Sequence, residues 1–365
     1  MQITIVAGAR PNFMKIAPII DAIKTQQALG KKIQFRLVHT GQHYDKNLSD
    51  TFFHELNIPF PDSNLEVKSG TQAEQTAAIM MGFEKELQNH PCDLVLVVGD
   101  VTSTMACTIV AKKAHIKVAH VEAGIRSGDM KMPEEINRIV TDSLTDYFFT
   151  TSHFANENLK AAGINANQMF FVGNVMIDTL RKQEPKLKQP DIWNKLSLRE
   201  KKYLVLTLHR PSNVDEELSL KKLITQLATL GKDYPIVFPV HPRTKSILMG
   251  LDLDYKNLHY VDPLGYLEFN YLVKHALGVL TDSGGITEET TVMNVPCISL
   301  RDSTERPETC IIGTNELVGG DANKIEQAFL KLLSGNWKQG EIPELWDGKA
   351  AERIVNHLMD IYEVK

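Results

Sequence analysis

One nine-residue segment has the composition of a phosphate-binding turn. It reads Thr281-Asp282-Ser283-Gly284-Gly285-Ile286-Thr287-Glu288-Glu289 after the apolar run Leu277-Gly278-Val279-Leu280, which predicts a strand, a glycine turn and a helix. Two glycines beside a small hydroxyl let backbone N–H groups approach an anion, and the amides and dipole of the new helix favour negative charge. A carboxylate in the first helical turn could reach a ribose hydroxyl. The same pattern also fits a structural turn capped by Ser283.

A second turn, Gly8-Ala9-Arg10-Pro11-Asn12-Phe13-Met14-Lys15, follows the first apolar run and opens a helix with proline near its start. It is not a dinucleotide fingerprint, because the G-x-G-x-x-G spacing is missing. The second predicted strand also ends in Val38-His39-Thr40-Gly41-Gln42-His43, without the acidic residue that would bind an NAD ribose. The turn instead offers two cations, Arg10 and Lys15, that could bind an anion.

Acidic residues recur where predicted strands end. Asp100 and Glu122 each follow such a strand, and Glu134 lies in the segment Pro133-Glu134-Glu135-Ile136-Asn137-Arg138. We expect several acids in one crevice to repel one another, so that at least one pKa rises and a proton is available for general acid and base catalysis. Alternatively, Asp100 caps the helix beginning near Thr102, and Glu134 only complements a helix dipole.

The second half of the chain places a histidine and an arginine after each of two strands, in His209-Arg210 and in His241-Pro242-Arg243. Neither histidine has the spacing of a metal site, whereas both residue types suit phosphoryl oxygens. A third basic segment, Arg301-Asp302-Ser303-Thr304-Glu305-Arg306-Pro307-Glu308, follows the last strong strand. One of the aromatic residues Tyr266, Phe269 and Tyr271 could stack on a base.

The elements that must position these residues are parallel strands joined by helices. We predict the strands Ile3–Ala7, Ile33–Val38, Leu94–Val98, Val118–Val121, Tyr147–Thr150, Phe170–Val172, Tyr203–Leu208, Ile236–Val240, Leu258–Val261, Gly278–Leu280 and Cys297–Leu300. The apolar pattern fails near Arg181–Pro190, where charge and proline content rise. We therefore expect an α/β protein with two Rossmann-like, doubly wound parallel-sheet domains facing a central cleft. The expected domains are residues 1–175 and 201–365, joined by a linker over 176–200, with the last helix able to pack back on the first domain.

Bulk properties exclude several classes of protein. The chain has 365 residues and a hydrophobic content of 43%, which are typical of a soluble globular protein, and its net charge of -5 argues against nucleic acid as main partner. The four cysteines are scattered, without a C-x-x-C pair. No apolar run reaches the length of a membrane span, and no signal segment precedes the first strand. These observations predict a cytoplasmic protein.

Taken together, the motifs resemble those of non-hydrolysing UDP-N-acetylglucosamine 2-epimerases from the first strand to about Val318. The motifs, in order, are Gly8-x-Arg10-Pro11-x-x-x-Lys15, His39-Thr40-Gly41-Gln42-His43, Gly99-Asp100-x-Thr102-Ser103-Thr104, His120-Val121-Glu122-Ala123-Gly124-x-Arg126, Pro133-Glu134-Glu135-x-Asn137-Arg138, Thr207-Leu208-His209-Arg210, Asp282-Ser283-Gly284-Gly285-Ile286-x-Glu288-Glu289 and Thr304-Glu305-Arg306-Pro307-Glu308. The resemblance implies a GT-B architecture, a homodimer, and no required metal or nicotinamide. It also implies a reaction, the reversible conversion of UDP-GlcNAc to UDP-ManNAc by elimination and re-addition of UDP through 2-acetamidoglucal.

The resemblance also implies roles for single residues. By motif, the acid/base carboxylates are Asp100, Glu122 and Glu134, with Arg138 beside them. Diphosphate contacts fall on His209, Arg10 and Ser283-Gly284, the ribose contact on Glu289, and the residue near the uracil is Phe269. His209 is also predicted to be catalytic. The further predicted substrate-binding residues are Lys15, His241, Gly285 and Arg306.

Some positions depart from the commoner pattern of that family. Ala9 and Asn12 stand where many members have Thr and Glu, and Tyr44-Asp45 follows His43. Members activated by their own substrate have contacts near this last segment and near His241. A related branch acts on UDP-2,3-diacetamido uronic acid, and the departures are compatible with it.

Three other classes of function share part of this residue pattern. A GT-B glycosyltransferase would share the nucleotide turn but needs an acceptor site in place of three carboxylates. A hydrolysing epimerase would release ManNAc and UDP, and only its products separate it. A nucleotide-sugar sensor would need Ser283 and Glu289 but has no use for Asp100, Glu122 and Glu134.

Overall fold

The computed structural model of the protein describes residues 1–41, 58–214, 216–240, 245, 247–248, 250–251 and 253–364. These residues divide into two compact units. The first comprises Met1–Lys182 together with Glu344–Lys365, and the second comprises Gln183–Pro343. Two of the predicted contact segments, His43 with its neighbours and His241, lie outside the described residues.

The first unit contains a seven-stranded sheet in which every pairing is parallel. Its strands are β1 Gln2–Ala7, β2 Gln34–His39, β3 Ser63–Asn64, β4 Leu94–Val98, β5 Lys117–Val121, β6 Tyr147–Thr150 and β7 Met169–Phe171, in the order β3-β2-β1-β4-β5-β6-β7. Its helices are α1 Arg10–Ala28, α2 Gln72–Asn89, α3 Thr102–Lys113, α4 Pro133–Leu144, α5 His153–Ala161 and α6 Val175–Gln183, with a 3₁₀ turn at Ala166–Gln168. Every residue of β4 is buried, because helices cover both faces of a parallel sheet.

The second unit repeats this plan with a six-stranded parallel sheet. Its strands are β8 Leu204–Thr207, β9 Ile236–Pro239, β10 Leu258–Val261, β11 Gly278–Thr281, β12 Cys297–Ser299 and β13 Asn315–Leu317, in the order β10-β9-β8-β11-β12-β13. A 3₁₀ turn spans Glu184–Lys186. The helices are α7 Asp191–Lys195, α8 Pro211–Val214, α9 Glu217–Leu230, α10 Tyr266–His275, α11 Gly284–Val292, α12 Pro307–Ile311 and α13 Ala322–Leu333.

The expected α/β class with two doubly wound parallel sheets is confirmed. All predicted strands are present, with ends shifted by no more than one residue. The edge strands β3 and β13 were not predicted, because neither Ser63–Asn64 nor Asn315–Leu317 has the apolar run that marks an interior strand. None of the helices in the described ranges is long and apolar enough to cross a membrane.

The chain passes from the first unit to the second between Lys182 and Gln183, within the expected linker over 176–200. The expected linker over 176–200 begins inside α6, and the residues that suggested a linker, Arg181 and Lys182, occupy the last turn of that helix. Cations at this end complement the helix dipole. The segment after α6 is also ordered, with the 3₁₀ turn and α7.

The carboxyl-terminal segment Glu344–Lys365, whose last helix was expected to be able to pack back on the first domain, belongs to the first unit. Its helix α14, Ala350–Ile361, buries an apolar face, and the fully buried Trp346 donates from Nε1 to the Thr151 carbonyl over 2.9 Å. Asp178 of α6 accepts the backbone N–H groups of Ala350 at 3.1 Å and Ala351 at 2.7 Å. Burial raises the pKa of Asp178 to about 6, against the lowering effect of those two bonds.

In both sheets the strand order reverses between two adjacent strands, so the chain connections that follow these two strands run in opposite directions along the sheet. This reversal falls between β1 and β4 in the first unit and between β8 and β11 in the second. Open α/β sheets bind their ligands beyond the carboxyl ends of such strand pairs. The turns that follow these four strands are therefore the places to look for chemistry.

Candidate functional site

In the first unit, the turns after β1 and β4 are joined by Asn12. Its Oδ1 accepts the backbone N–H groups of Gly8 at 3.1 Å and Ala9 at 3.0 Å, and its Nδ2 donates to the Val98 carbonyl over 3.1 Å. Pro11 occupies the first turn of α1, where its missing N–H costs no helical hydrogen bond. Asn12 thus fixes the two turns relative to each other. Arg10 begins α1, and its side chain lies outside the described part of the structure.

Glu122 lies at the end of β5 and forms a buried ion pair with Lys15. The Lys15 Nζ atom is 2.6 Å from Glu122 Oε2, with the two side chains 13% and 2% exposed. Glu122 has a φ of 69°, a left-handed conformation that is strained for a residue with a side chain. Gly99 lies beside the pair, and a Cβ atom there would be 2.9 Å from Lys15 Nζ. The fold therefore holds the Glu122 carboxylate beside the Lys15 ammonium group, although the backbone conformation at Glu122 is energetically unfavourable.

Asp100, at the end of β4, is held by Arg138 of α4. Arg138 donates to Asp100 Oδ2 from Nε over 3.0 Å and from Nη2 over 2.5 Å. The Asp100 side chain is 30% exposed, whereas that of Arg138 is 3% exposed. Asp100 does not cap α3, whose first turn has no side-chain cap. Asp100 is thus paired with a buried cation, as Glu122 is paired with Lys15.

The neighbouring Glu134 and Glu135 have different environments although both lie in the first turn of α4. Glu135 is buried, accepts the backbone N–H groups of Ser127 at 2.9 Å and Gly128 at 3.0 Å, and pairs with Arg138 at 2.8 Å. Burial would raise the pKa of Glu135, but these bonds lower it below its usual value. Glu134 is half-buried and makes no hydrogen bond or ion pair with any residue that the structure describes. Of the two side chains, that of Glu134 is the one without a hydrogen-bond or ion-pair partner among the described residues.

In the second unit, the fully buried Asp282 organises the turn after β8. Its Oδ2 accepts the backbone N–H groups of His209 at 3.0 Å and Arg210 at 2.9 Å, and the Asn213 amide at 3.0 Å. Its Oδ1 lies 2.6 Å from Nδ1 of His209. Burial raises the pKa of Asp282, but the hydrogen bond and charge of His209 outweigh it, so the pKa is lowered overall. An ionised Asp282 requires the proton on Nδ1 and directs the Nε2 end of a 63% exposed imidazole outward.

The glycine turn after β11 begins α11 at Gly284. Ser283 makes no side-chain cap, which argues against the purely structural reading of this turn, and its N–H donates to Thr281 Oγ1 over 2.9 Å. A Cβ on Gly284 would be 2.7 Å from Glu305 Oε1, whereas one on Gly285 would meet open space. The helix amino terminus is therefore approachable from the Gly285 side.

The acids of α11 are engaged inside the second unit. Glu289 is 4% exposed and accepts the Tyr266 hydroxyl at 2.8 Å, and burial raises its pKa to about 7. Glu288 pairs with the Nε of buried Arg306. Phe269 of α10 is partly buried against the apolar core of the unit. The predicted ribose contact and the predicted cation Arg306 thus each have a partner in the fold.

Comparison with known proteins decides the family. A family model described as UDP-N-acetylglucosamine 2-epimerase matches residues 27–359. The UDP-N-acetylglucosamine 2-epimerase of Methanocaldococcus jannaschii is 41% identical, over 98% of this chain and 99% of that protein. This chain belongs to the UDP-N-acetylglucosamine 2-epimerase family. The expected resemblance is confirmed, and membership identifies the chain as an epimerase.

Three further similar proteins are a solved epimerase, an epimerase named for a different sugar and a glycosyltransferase. The crystal structure of the Methanocaldococcus jannaschii enzyme in complex with UDP-GlcNAc and UDP matches with a TM-score of 0.87 at 40% identity, covering 99% of this chain and 100% of that one. A UDP-2,3-diacetamido-2,3-dideoxy-D-glucuronate 2-epimerase from Pseudomonas aeruginosa is 37% identical, over 98% of this chain and 99% of that protein. The galactosyltransferase WaaB matches with a TM-score of 0.58 at 15% identity, over 99% of this chain and 100% of that one, which supports the GT-B type fold alone.

Sequence reasoning placed most candidate residues of this family member at strand ends but missed the residues that hold them. Asp282 appeared only as part of the glycine turn, and Asn12 only as a departure from the family pattern. Asn137, whose Nδ2 donates to the Asp100 carbonyl over 2.9 Å, had no assigned role. A buried Asp at the end of a strand, one residue before a glycine turn, was the available signal for Asp282.

Proposed function

We propose that this protein catalyses the reversible epimerisation of UDP-N-acetylglucosamine at C2 to give UDP-N-acetylmannosamine, without net hydrolysis. The observation that carries the proposal is the similarity, over nearly the whole of both chains, to a relative solved in complex with UDP-GlcNAc and UDP. The charged residues within each unit support the proposal and suggest that the residues of the two units have different roles. Within the second unit, His209 and the amino terminus of α11 suit a diphosphate, with Arg10 of the first unit as a further proposed contact. Within the first unit, Asp100, Glu122 and Glu134 suit proton transfer.

In the proposed first step, the bond between C1 and the diphosphate oxygen breaks with its electron pair leaving on UDP. His209, with a proton on each ring nitrogen and held through Nδ1–H by ionised Asp282, donates from Nε2 to the departing phosphate, and the amino terminus of α11 favours the developing negative charge. Arg10, Lys15, His241 and Arg306 remain proposed contacts of the substrate, as do Glu289 for the ribose and Phe269 for the base. Because Glu289 is bonded to Tyr266, ribose binding would require this hydroxyl to share or leave the carboxylate.

The second part of the step removes the C2 proton. This C–H is not adjacent to a carbonyl and is too weak an acid for direct removal, but oxocarbenium character at C1 acidifies it. A carboxylate takes the proton as the C1–C2 double bond of 2-acetamidoglucal forms. Return of a proton to the other face of C2, followed by attack of UDP oxygen on C1, gives the epimer. Delivery to both faces explains a need for more than one carboxylate among Asp100, Glu122 and Glu134.

Product analysis tests this function. The purified protein is incubated with UDP-GlcNAc and followed by proton and phosphorus NMR. We expect an equilibrium mixture of UDP-GlcNAc and UDP-ManNAc, reached also from UDP-ManNAc, with no accumulation of free UDP. Stoichiometric release of UDP and ManNAc would instead identify a hydrolysing epimerase. Transfer of the sugar only when an acceptor is added would identify a glycosyltransferase.

A second candidate substrate is UDP-2,3-diacetamido uronic acid. The specific observation in its favour is the relative of 37% identity from Pseudomonas aeruginosa that carries this name. Its C2 chemistry is the same, so the residues discussed above do not distinguish the two sugars. Comparison of kcat/KM for the two substrates decides between them.

The resemblance also implied a homodimer that requires no metal or nicotinamide, and the bulk properties of the sequence predicted a cytoplasmic protein. These stay predictions. Light scattering of the purified protein tests whether it is a homodimer. Activity of the protein without added metal or nicotinamide tests whether it needs either.

A further inference from the structure

A histidine that the proposed reaction does not use lies beneath the turn that carries Asp100. His120, on β5, is fully buried and both of its ring nitrogens have partners. Its Nδ1 lies 2.7 Å from Oδ1 of Asp142, and its Nε2 lies 2.8 Å from the carbonyl oxygen of Gly99. A buried imidazole needs a hydrogen-bond partner for each ring nitrogen, and Asp142 and Gly99 supply these partners for His120.

The roles in these two hydrogen bonds follow from the partners. A carbonyl oxygen can only accept, so Nε2 must carry a proton to hold Gly99. Asp142 is buried, which raises its pKa, but its contacts with His120 and with Arg126, at 2.6 Å, lower the pKa overall. Asp142 is therefore an ionised acceptor that orients the ring through a hydrogen bond from Nδ1–H, so the two hydrogen bonds of His120 require a proton on each ring nitrogen. The Gly124 N–H, at 3.1 Å from Asp142 Oδ2, fixes that carboxylate in turn.

The Gly99 carbonyl is one of three consecutive carbonyl groups that side chains hold. Thr104 Oγ1 donates to the Val98 carbonyl over 3.0 Å, and Asn137 Nδ2 donates to the Asp100 carbonyl over 2.9 Å. Gly99 has a φ of 67°, so its backbone turns sharply just before Asp100. The orientation of the Gly99 peptide group therefore sets the direction in which Asp100 leaves the strand.

We propose that His120 is a positioning residue for Asp100: its Nε2–H holds the Gly99 carbonyl and so fixes the backbone that directs the Asp100 carboxylate. This inference rests on the proposed acid/base role of Asp100. His120 itself touches no substrate. It acts through one backbone carbonyl, and its effect should appear in the chemical step rather than in nucleotide binding.

Two substitutions test this role. His120→Phe fills the space without a donor, whereas His120→Gln can present an amide N–H to Gly99. Since a displacement of about 1 Å in a catalytic group can cost about 10²-fold in rate, we expect His120→Phe to lower kcat by about 10²-fold. The KM for UDP-GlcNAc and the affinity for UDP should stay within about twofold, and His120→Gln should regain part of kcat.

The matched control is Phe148→Leu. Phe148 pairs with His120 in the register of β5 and β6 and is also fully buried, but it makes none of the polar contacts. We expect the Phe148→Leu variant to be less stable than the unmodified protein but to keep the same kcat per folded molecule. A kcat of His120→Phe equal to that of Phe148→Leu would overturn the proposal, because it would show that His120 only supports the fold.

A measurement on the unmodified protein keeps the proposal testable if His120→Phe does not fold. Nitrogen-15 NMR of histidine-labelled protein reports which ring nitrogens carry protons, and His120→Gln assigns the signal. A protonated Nε2 with a coupling to the Gly99 carbonyl is expected, and an unprotonated Nε2 would overturn the proposal. Absence of any epimerisation by the unmodified protein would instead overturn the proposed function, and the NMR result would still stand.

Discussion

The Nδ1 atom of His209 lies 2.6 Å from Oδ1 of Asp282, so a histidine after β8 is held by a buried carboxylate after β11. These two strands are neighbours at the point where the strand order of the second sheet reverses. The pair gives the exposed imidazole one tautomer and one orientation, and the carboxylate stabilises the ring when it is protonated. This is the arrangement expected of a group that donates a proton or hydrogen bond to a departing phosphate.

Replacement of Asp282 by Asn should therefore impair the reaction without removing the histidine. An amide cannot stabilise a protonated His209, so we expect kcat to fall by about 10²-fold or more. Asp233→Asn, at an exposed position of the same unit, is the control. Thermal unfolding must accompany the kinetics, because Asp282 also accepts two backbone N–H groups. A folded Asp282→Asn variant with normal kcat would show that the pair is structural.

The three candidate acids of the first unit should affect chemistry and leave nucleotide binding alone. For Asp100→Asn, Glu122→Gln and Glu134→Gln we expect losses of about 10²–10⁴ in kcat, with UDP affinity little changed. Titration calorimetry with UDP and NMR rates of epimerisation measure the two quantities. Glu157→Gln, an exposed glutamate on α5, serves as the control. Activity of any one variant within a few-fold of wild type would remove that residue from the acid/base assignment.

The sequence predicted the sheets because continuous apolar runs identify buried parallel strands, such as Leu94–Val98. It also placed the chemical residues at strand ends. It could not predict which cation each acid would take, because the pairs Lys15 with Glu122 and Arg138 with Asp100 join residues 107 and 38 positions apart. Contacts of this kind depend on strand order, which local patterns do not contain.

Burial of Glu289 predicts a pH dependence of stability in the second unit. Its pKa is raised from 4.5 to about 7 in the folded protein. Between these values the folded state binds more protons than the unfolded state, so the free energy of unfolding falls as pH rises, by about 3 kcal/mol at most. Above pH 7 the effect should level off. Glu289→Gln should remove this component, and denaturant unfolding at several pH values compares the two proteins. A stability difference between them that does not change with pH would contradict the shift.

Chelation should leave the activity unchanged. In this account the leaving diphosphate is neutralised by His209, by arginine side chains and by the amino terminus of α11. We expect full activity after exhaustive treatment with EDTA and without added NAD. Restoration of lost activity by one particular divalent ion would contradict the account.

The fate of the hydrogen on C2 tests the central claim most directly. If UDP leaves first and a protein carboxylate returns the proton to the opposite face of 2-acetamidoglucal, that proton comes from a group that exchanges with solvent. UDP-ManNAc formed from UDP-GlcNAc in deuterated water should then carry deuterium at C2, as read by proton NMR at the first turnover. Product that retains the original hydrogen at C2 would contradict elimination and re-addition and would indicate transfer within a closed redox cycle.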